Sequence, residues 1–374
     1  MNNQSLLPSS TSPTNGNGFT LPQRVGIIYS EVKREYFPTE EQYITEKEAE
    51  ENAHLVASYL QKIGIDALLY PGNNELSKKL LADKPDMVMN LVDSVRGSEF
   101  LSSVIPGVLE LLEIPYTGAG VLGLSLTFQK FIILKLLQQS GVPVPNFQLM
   151  NTWNDPIDST LRYPLISKLN EIHGAVEITQ DAVSENEKHL RERLKYLIKT
   201  YNQPVVIQEF IVGREITAIL LEGLNKKVYT SEKVFTKSGE KYIFLTFEDQ
   251  WLTKEPTFYY QKYEDPLLKE YVKKAFEITR MTDYGKFDVR VDSSGRYFFL
   301  DANANPAFGP KEADCALATI LDMYGVSFSD ILKRLITNTV RDAQGKDLLP
   351  VGENGPEENQ PASPSSPPPQ NSSL

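Results

Sequence analysis

Short apolar runs alternate with longer segments of helical periodicity from Arg24 onward. The runs RVGIIYS, DALLYP and DMVMNLV each predict a β-strand. Between the first two runs, EKEAEENAHLVASYLQKIG repeats apolar residues at helical spacing and ends in Gly64, a common helix terminus. The third run precedes a second helical segment, SSVIPGVLELLE. This alternation predicts a doubly wound α/β domain over residues 24–120.

The pattern continues in two further units. A single helix is predicted over LTFQKFIILKLLQQSG (Leu126–Gly141), followed by the strand YPLISKL and a charged helix near 184–201, which gives a central unit at 121–203. PVVIQEFIVGREITAILLEG predicts two strands around Gly213, and GKFDVRVDSSGRYFFLDANANP predicts a β-hairpin. These segments form the predicted C-terminal unit, residues 204–342.

Both ends of the chain have few apolar residues and many Ser, Pro and Asn residues. We therefore expect residues 1–23 and 343–374 to be disordered. The N-terminal segment has no basic region followed by an apolar core, and no stretch approaches the roughly 18 apolar residues of a membrane span. The sequence predicts a cytoplasmic protein.

Charge and cysteine content exclude several classes of function. The net charge is −11 and no run of Lys or Arg occurs, which argues against a nucleic-acid or membrane partner because both require a basic surface. One cysteine and three histidines provide neither a disulfide framework nor a Cys/His zinc site. This usage is typical of a reducing compartment.

The predicted hairpin has an unusually polar face. Side chains two residues apart share one face of a strand, so Lys286, Asp288 and Arg290 point the same way, and Asp301 and Asn303 share a face of the returning strand. A turn near Ser294 places Asp288 opposite Asp301. Converging carboxylate and amide oxygens suit Mg²⁺ that bridges phosphate oxygens. The alternative is a solvated outer face of an ordinary hairpin.

FDVRVDSSGRYFFLDANANP resembles the C-terminal signature of ATP-grasp enzymes, and the span 24–341 resembles the D-alanine–D-alanine ligase branch. NLV at Asn90, GVLELLEIPYTG, LTFQKFIILKLLQQSGVPVP and VVIQEFIVGREIT occur in that family's order and spacing. Several ordered segments together are more specific than any one motif. The resemblance implies an α/β ATP-grasp fold preceded by the doubly wound N-terminal domain.

The resemblance also implies roles for individual residues. Asp288, Asp301 and Asn303 would bind Mg²⁺, with Mn²⁺ able to substitute. Five residues would bind ATP: Lys130 and Lys168 at the phosphates, Glu209 and Ile211 at the adenine through backbone groups, and Glu215 at the ribose. The loop from Leu169 to Val176 would cover the phosphates, and 236–256 would close as a lid. Taken alone, each lysine would be read as an ordinary solvent-facing residue.

Several positions depart from the family pattern. Lys286 stands where the family has an arginine that stabilises the tetrahedral oxyanion, and Arg290 is the alternative group for that role. Gly174 and Ala175 replace two serines, and Gln250-Trp251 replaces a Lys-Tyr pair. Glu312 falls near the serine that receives the terminal carboxylate of D-alanine, where an acid would repel it.

These features predict an ATP- and Mg²⁺-dependent ligase that joins a carboxylate to an amine through an acyl phosphate. We expect small-molecule substrates, including an amino acid, in natural-product or peptide biosynthesis, and a homodimer is compatible with the sequence. One alternative is the D-alanine–D-alanine ligase of cell-wall synthesis. The other is a non-catalytic nucleotide-binding interaction protein whose Pro-rich tail binds a partner.

Overall fold

A computed structural model describes residues 22–223, 225–237 and 239–348 of the 374-residue chain. The N-terminal unit is a parallel sheet in the order β2-β1-β3-β4, which confirms the predicted α/β class. Val25 and Ile27 of β1 pack against α2 on one face, whereas Ile28 packs against Leu80 and Leu109 on the other. Its elements are β1 (Arg24–Tyr29), α1 (Glu40–Ile44), α2 (Ala49–Lys62), β2 (Asp66–Pro71), α3 (Leu76–Asp83), β3 (Met87–Leu91), α4 (Val104–Leu111) and β4 (Tyr116–Thr117).

The central segment contains two helices and a second sheet. The strands form an antiparallel sheet in the order β5-β8-β6-β7, and α7 covers it with Leu190, Leu194 and Leu197. The side chain of Asn186 caps α7 by accepting from the His189 N–H. The elements are α5 (Val121–Thr127), α6 (Lys130–Gln139), β5 (Phe147–Met150), β6 (Leu165–Leu169), β7 (Val183–Ser184), α7 (Glu187–Tyr201) and β8 (Val205–Glu209).

The C-terminal unit is built on an antiparallel sheet in the order β11-β10-β9-β12-β13. Helix α9, capped by Asp265, packs on one face, and helices α10 and α11 pack on the other. The elements are β9 (Arg214–Leu221), β10 (Lys227–Phe235), α8 (Phe247–Trp251), β11 (Phe258–Lys262), α9 (Pro266–Ile278), β12 (Tyr284–Val291), β13 (Tyr297–Asn303), α10 (Ala316–Met323) and α11 (Phe328–Leu348).

The single helix predicted over Leu126–Gly141 is wrong. The chain leaves the helical path at Phe128–Gln129, and α5 and α6 are bent by 99° relative to each other. Asn170 explains the break, because its backbone carbonyl and its side-chain oxygen accept from the N–H groups of Lys130 and Phe131, each at 3.0 Å. A distant loop therefore supplies the cap that starts α6.

The sheet pairings differ from the predicted division at residues 203 and 204. Strand β8 hydrogen-bonds to β5 and β6 and therefore lies in the central sheet. Helices α5 and α6 instead pack on the C-terminal sheet, where Leu124 and Ile133 join the same core as Phe287. Sequence order did not indicate these contacts because each element is apolar enough to pack on either sheet.

The structure describes short parts of the two segments that the sequence predicts to be disordered. Pro22 is buried, and the Gln23 N–H donates to Asp86 Oδ2 at 2.7 Å. Helix α11 continues to Leu348, so residues 343–348 are helical. The rest of both predicted segments, 1–21 and 349–374, lies outside the described residues. Within the described residues, no single helix is long and apolar enough to cross a membrane, although the bent pair α5–α6 together reaches that length and composition.

Candidate active site

The β12–β13 hairpin brings the predicted metal-binding residues together. Asp288 lies opposite Asp301 and Lys286 lies opposite Asn303, which confirms the predicted register. The register shifts between Asp288 and Val289, so the strand is irregular next to the paired carboxylates. Both Asp side chains are largely shielded from solvent, at 22% and 20% exposure. The polar face is therefore not a solvated outer surface.

Asp301 is surrounded by basic side chains. Its carboxylate lies 3.8 Å from Lys130 Nζ and 3.8 Å from His173 Nε2. Burial by itself would raise the pKa of Asp301, but Lys130, His173 and Lys168 outweigh it and hold the pKa well below its usual range. Asp301 is thus kept ionised, as a metal ligand must be.

The two predicted phosphate-binding lysines differ in their own contacts. Lys130 is 5% exposed, and its Nζ donates to the Ile172 carbonyl at 2.7 Å. Lys168 is the penultimate residue of β6 and makes no side-chain hydrogen bond or ion pair within the described residues. Burial lowers the pKa of Lys168, and the negative charge of Asp301 offsets only part of this effect. An ammonium group without a partner beside a carboxylate pair is placed to accept an anionic ligand.

Asp288 and Asn303 have the capacity to bind a cation. Asp288 Oδ1 is buried and has no hydrogen-bond partner among the described residues. Such an oxygen is costly unless a ligand satisfies it. No group of three or more His, Cys, Asp or Glu side chains in the described residues is arranged as a metal site. The candidate set is therefore two carboxylates and the Asn303 amide, with positions left for phosphate oxygens, which fits Mg²⁺.

Lys286 and Arg290, the predicted oxyanion-binding residues, are placed differently. Lys286 Nζ donates to Asp288 Oδ2 at 2.5 Å and remains 20% exposed at the edge of the site. The Arg290 guanidinium is 3% exposed and donates to the carbonyls of Ile211, at 2.9 Å, and Ile243, at 2.7 Å. It also pairs with Glu215 at 3.3 Å. Its donors are occupied, so this structure argues against the oxyanion role for Arg290.

Glu215 is held between two buried cations. Lys233 Nζ donates to it at 2.8 Å and Arg290 contacts its other oxygen. Although burial opposes ionisation, these two charges lower the pKa of Glu215 from 4.5 to about 2. Lys233 was missed in the sequence because a strand lysine has no signature. Its register partner across β9–β10 is Glu215, so pairing the two strands would have revealed it.

We expect Glu215→Gln to destabilise the fold at neutral pH by about 3 kcal/mol, because it leaves Lys233 and Arg290 without their anion. In the wild type the contribution of this carboxylate is complete above the unfolded pKa of 4.5 and is lost as the pH falls towards about 2. Urea unfolding from pH 7 to acid should show that loss only in the wild type.

Glu232→Gln, on the more exposed pair with Arg214, is the control and should change stability by less than about 1 kcal/mol. Equal stability of Glu215→Gln and wild type would refute the buried network.

The predicted adenine hinge lies where β8 ends. The carboxylate of Glu209 accepts from the N–H of Arg162 at 2.9 Å and from Asn146 Nδ2 at 3.1 Å, so it is used locally. The Ile211 carbonyl accepts from Arg290, whereas the Ile211 N–H has no partner within the described residues. Phe210 lies under the Arg290 guanidinium at 4.9 Å. A free backbone N–H beside an aromatic ring suits a planar base.

The predicted phosphate loop is held by contacts from two sides. His173 donates its backbone N–H to Glu99 of the N-terminal unit at 3.0 Å, and its Nδ1 lies 2.8 Å from the same carboxylate. From the predicted lid, Trp251 Nε1 donates to the Gly174 carbonyl at 2.7 Å. His173 therefore connects the predicted phosphate loop to the N-terminal unit. Glu99 was missed because it lies about 70 residues away in sequence.

Glu312, which the family resemblance places near a substrate carboxylate, contacts a residue of α2. It belongs to an exposed 3₁₀ turn, Lys311–Ala313, and its carboxylate accepts from the Tyr59 hydroxyl at 2.9 Å. Lys311 turns away to Asp322. The predicted repulsion of a substrate carboxylate by Glu312 remains a prediction.

Sequence comparison assigns more than half of the chain to a known family. The model of the family described as D-ala D-ala ligase C-terminus matches residues 136–337. A D-alanine–D-alanine ligase of Aquifex aeolicus is 26% identical over 292 residues, which is 75% of this chain and 92% of that protein. An uncharacterized protein y4sG of Sinorhizobium fredii is 29% identical and covers 79% of this chain and 90% of its own length.

Solved structures agree with this assignment at the level of the fold. A D-alanine–D-alanine ligase from Bacillus anthracis, complexed with ATP, superposes with a TM-score of 0.65 at 20% identity and covers 87% of this chain and 99% of its own. The VanG D-Ala:D-Ser ligase of Enterococcus faecalis gives 0.62 at 18% identity, covering 85% of this chain and 99% of its own. The chain belongs to the D-alanine–D-alanine ligase C-terminus family and is an ATP-dependent, ADP-forming carboxylate–amine ligase with an ATP-grasp fold.

Proposed function

We propose that the chain activates an amino-acid carboxylate with ATP and passes the acyl group to an amine at the hairpin site. The observation that carries this proposal is the convergence of Lys130, Lys168 and the Asp288–Asp301 pair at one end of β12–β13. These are the charges that γ-phosphoryl transfer requires, because such transfer depends on positioning and electrostatic stabilisation. A nucleotide-binding scaffold without turnover would not need all four.

The nucleotide lies between the central and C-terminal sheets in this proposal. The Ile211 N–H and Phe210 bind the base, Glu215 lies near the ribose, and the lysines bind the phosphates. Asp288, Asp301 and Asn303 would hold Mg²⁺, which neutralises charge on the phosphate oxygens when bound. Glu215 also forms ion pairs with Lys233 and Arg290. These pairs hold its carboxylate in place before any ribose binds.

The reaction has two steps. A carboxylate oxygen of the first substrate attacks the γ-phosphorus, the bond to the β-γ bridging oxygen breaks, and ADP leaves. The amine of the second substrate then attacks the carbonyl carbon, loses a proton, and expels inorganic phosphate. Lys286 is our candidate for stabilising the tetrahedral oxyanion, because it is the partly exposed cation at the edge of the site. Trp251 and the phosphate loop exclude water, which would otherwise hydrolyse the acyl phosphate.

The substrate is an amino acid in this proposal, and D-alanine–D-alanine ligation remains the second candidate. That second candidate is supported by the named activity of the Aquifex aeolicus relative. The replacements of two serines by Gly174 and Ala175 favour a different acid or amine, since two hydroxyl donors are lost. A role in natural-product or peptide synthesis, a homodimer and a cytoplasmic location remain predictions.

We expect ADP release to depend on both an amino acid and Mg²⁺. A coupled assay with ATP and each of the common amino acids, in both enantiomers and in pairs, measures this dependence. D-alanine as the sole amino acid tests the second candidate directly. Formation of AMP and pyrophosphate, or ATP turnover unaffected by any amino acid, would contradict the proposed function.

A further inference from the structure

Three acidic side chains, Glu46, Asp93 and Glu99, lie close to one another beside the proposed reaction site, and we refer to this group as the acidic crevice. In the strand order β2-β1-β3-β4, β1 and β3 are neighbours. The chain leaves β1 towards one edge of the sheet and leaves β3 towards the other edge. Ligands of such sheets bind outside the carboxyl ends of these two strands. Ser30 follows β1 there, and its hydroxyl accepts from the N–H groups of Asp93 and Ser94 at 3.0 and 3.1 Å.

The negative charge of the acidic crevice is not balanced within the described residues. No Lys, Arg or His lies within ion-pair distance of Glu46 or Asp93 there, whereas Glu99 is taken by His173. Burial and the neighbouring acids raise the pKa of Asp93 to about 7 and raise that of Glu46 well above its usual range. Glu46 is buried and Asp93 is half-buried, and neither has a cationic partner, which is unfavourable unless a ligand or a proton supplies one.

Glu46 also has a buried carboxylate oxygen without a hydrogen-bond partner among the described residues. The residue is 4% exposed, and only its Oε2 is satisfied, by the Ser94 hydroxyl at 2.6 Å. Its Oε1 is buried and makes no hydrogen bond among the described residues. A buried acceptor without a donor is the group that a bound ammonium would satisfy.

The acidic crevice adjoins the proposed site of phosphoryl transfer. Glu99 holds His173, whose Nε2 lies 3.8 Å from Asp301. Asn305, two residues beyond Asn303, donates its Nδ2 to the Val92 carbonyl at 3.1 Å, next to Asp93. In this proposal, an acid bound with its carboxylate at the hairpin would extend its other groups towards Glu46 and Asp93.

We propose that Glu46 and Asp93 bind two cationic groups of the substrate, so that the acid activated by this ligase is a diamino acid. The inference rests on the proposed function and specifies its substrate class. One ammonium group would balance only one of the two carboxylates. A second ammonium on the side chain balances both and satisfies the free oxygen of Glu46.

The test compares amino acids that differ chiefly in the second ammonium group. Lysine is paired with norleucine, ornithine with norvaline, and 2,4-diaminobutyrate with homoserine, each in both enantiomers. Binding is measured by calorimetry with a non-hydrolysable ATP analogue and Mg²⁺, and kcat/KM is measured from ADP release. At least one diamino member should exceed its neutral partner by about 10-fold or more in both measurements.

Variants assign the preference to the acidic crevice. Asp93→Asn removes one charge at constant shape and should reduce the diamino-to-neutral ratio by about 10-fold or more. Asp66→Asn, at the opposite end of the same sheet and exposed, is the matched control and should leave the ratio unchanged. Thermal unfolding without substrate checks that both variants fold.

The outcomes separate this inference from the proposed function. ADP release that requires an amino acid but shows no diamino preference would overturn the inference and leave the ligase intact. An unchanged ratio in Asp93→Asn would also overturn it, because Asp93 would then not bind the second ammonium group. If no amino acid binds or promotes ADP release, both the inference and the proposed function fail.

Discussion

Lys168→Met is expected to lower kcat/KM for ADP release by about 100- to 1,000-fold while leaving the protein folded. Lys168 is the ammonium group of the site without a protein partner within the described residues, and it lies beside the Asp288–Asp301 pair. Its charge is therefore available to the phosphate oxygens as negative charge shifts in the transition state. Removal of one preorganised electrostatic contact of this kind costs about that much.

The loss should appear mainly in kcat, because the stabilisation is greatest in the transition state. Lys188→Met is the matched control, since Lys188 is exposed on α7 in the same unit and should retain full activity. Near-normal turnover in Lys168→Met would remove this lysine from the phosphoryl-transfer machinery. It would then be an ordinary strand residue, as its sequence context alone suggests.

Asp301→Asn is expected to lower turnover at limiting Mg²⁺ by about 100-fold, with partial recovery at high Mg²⁺. One anionic ligand becomes neutral, and groups that merely support a metal ligand already contribute about 10- to 100-fold to affinity. The measurement is a Mg²⁺ titration of ADP release in both proteins. The apparent Mg²⁺ affinity should fall, because Lys130 and His173 then face an amide instead of a carboxylate.

Asp322→Asn provides the control for this titration, because Asp322 lies on the surface of the same unit in an exposed pair with Lys311. Its Mg²⁺ dependence should match the wild type. An unaltered Mg²⁺ titration in Asp301→Asn would show that the hairpin face does not bind the metal. Mg²⁺ would then reach the site through the nucleotide alone.

Local patterns in the sequence predicted the hairpin and its facing residues. Two-residue periodicity and the turn Asp292–Gly295 fix which residues oppose one another, and Asp288 indeed faces Asp301. The same is true of β1, β2 and β3, whose apolar runs are each confined to one strand. Where the determining interactions lie within about 20 residues, the sequence alone was sufficient.

Features that depend on distant residues could not be predicted. The break between α5 and α6 is imposed by Asn170, about 40 residues away, and no local residue indicates it. Arg290 points from the charged face of its strand, but the carbonyls that bind it come from Ile211 and Ile243. The acidic crevice likewise gathers residues from separate segments, namely the turn between α1 and α2 and the loop that follows β3. Tertiary contacts decide each of these cases.

The transfer of ¹⁸O from substrate to phosphate tests the central claim most directly. An amino acid that supports turnover is labelled with ¹⁸O in both carboxylate oxygens, and the inorganic phosphate formed in one turnover is analysed by mass spectrometry. If the carboxylate attacks the γ-phosphorus and the amine then expels phosphate, each phosphate carries one ¹⁸O atom and the product carries the other. Unlabelled phosphate, or label found in AMP, would contradict the acyl-phosphate mechanism.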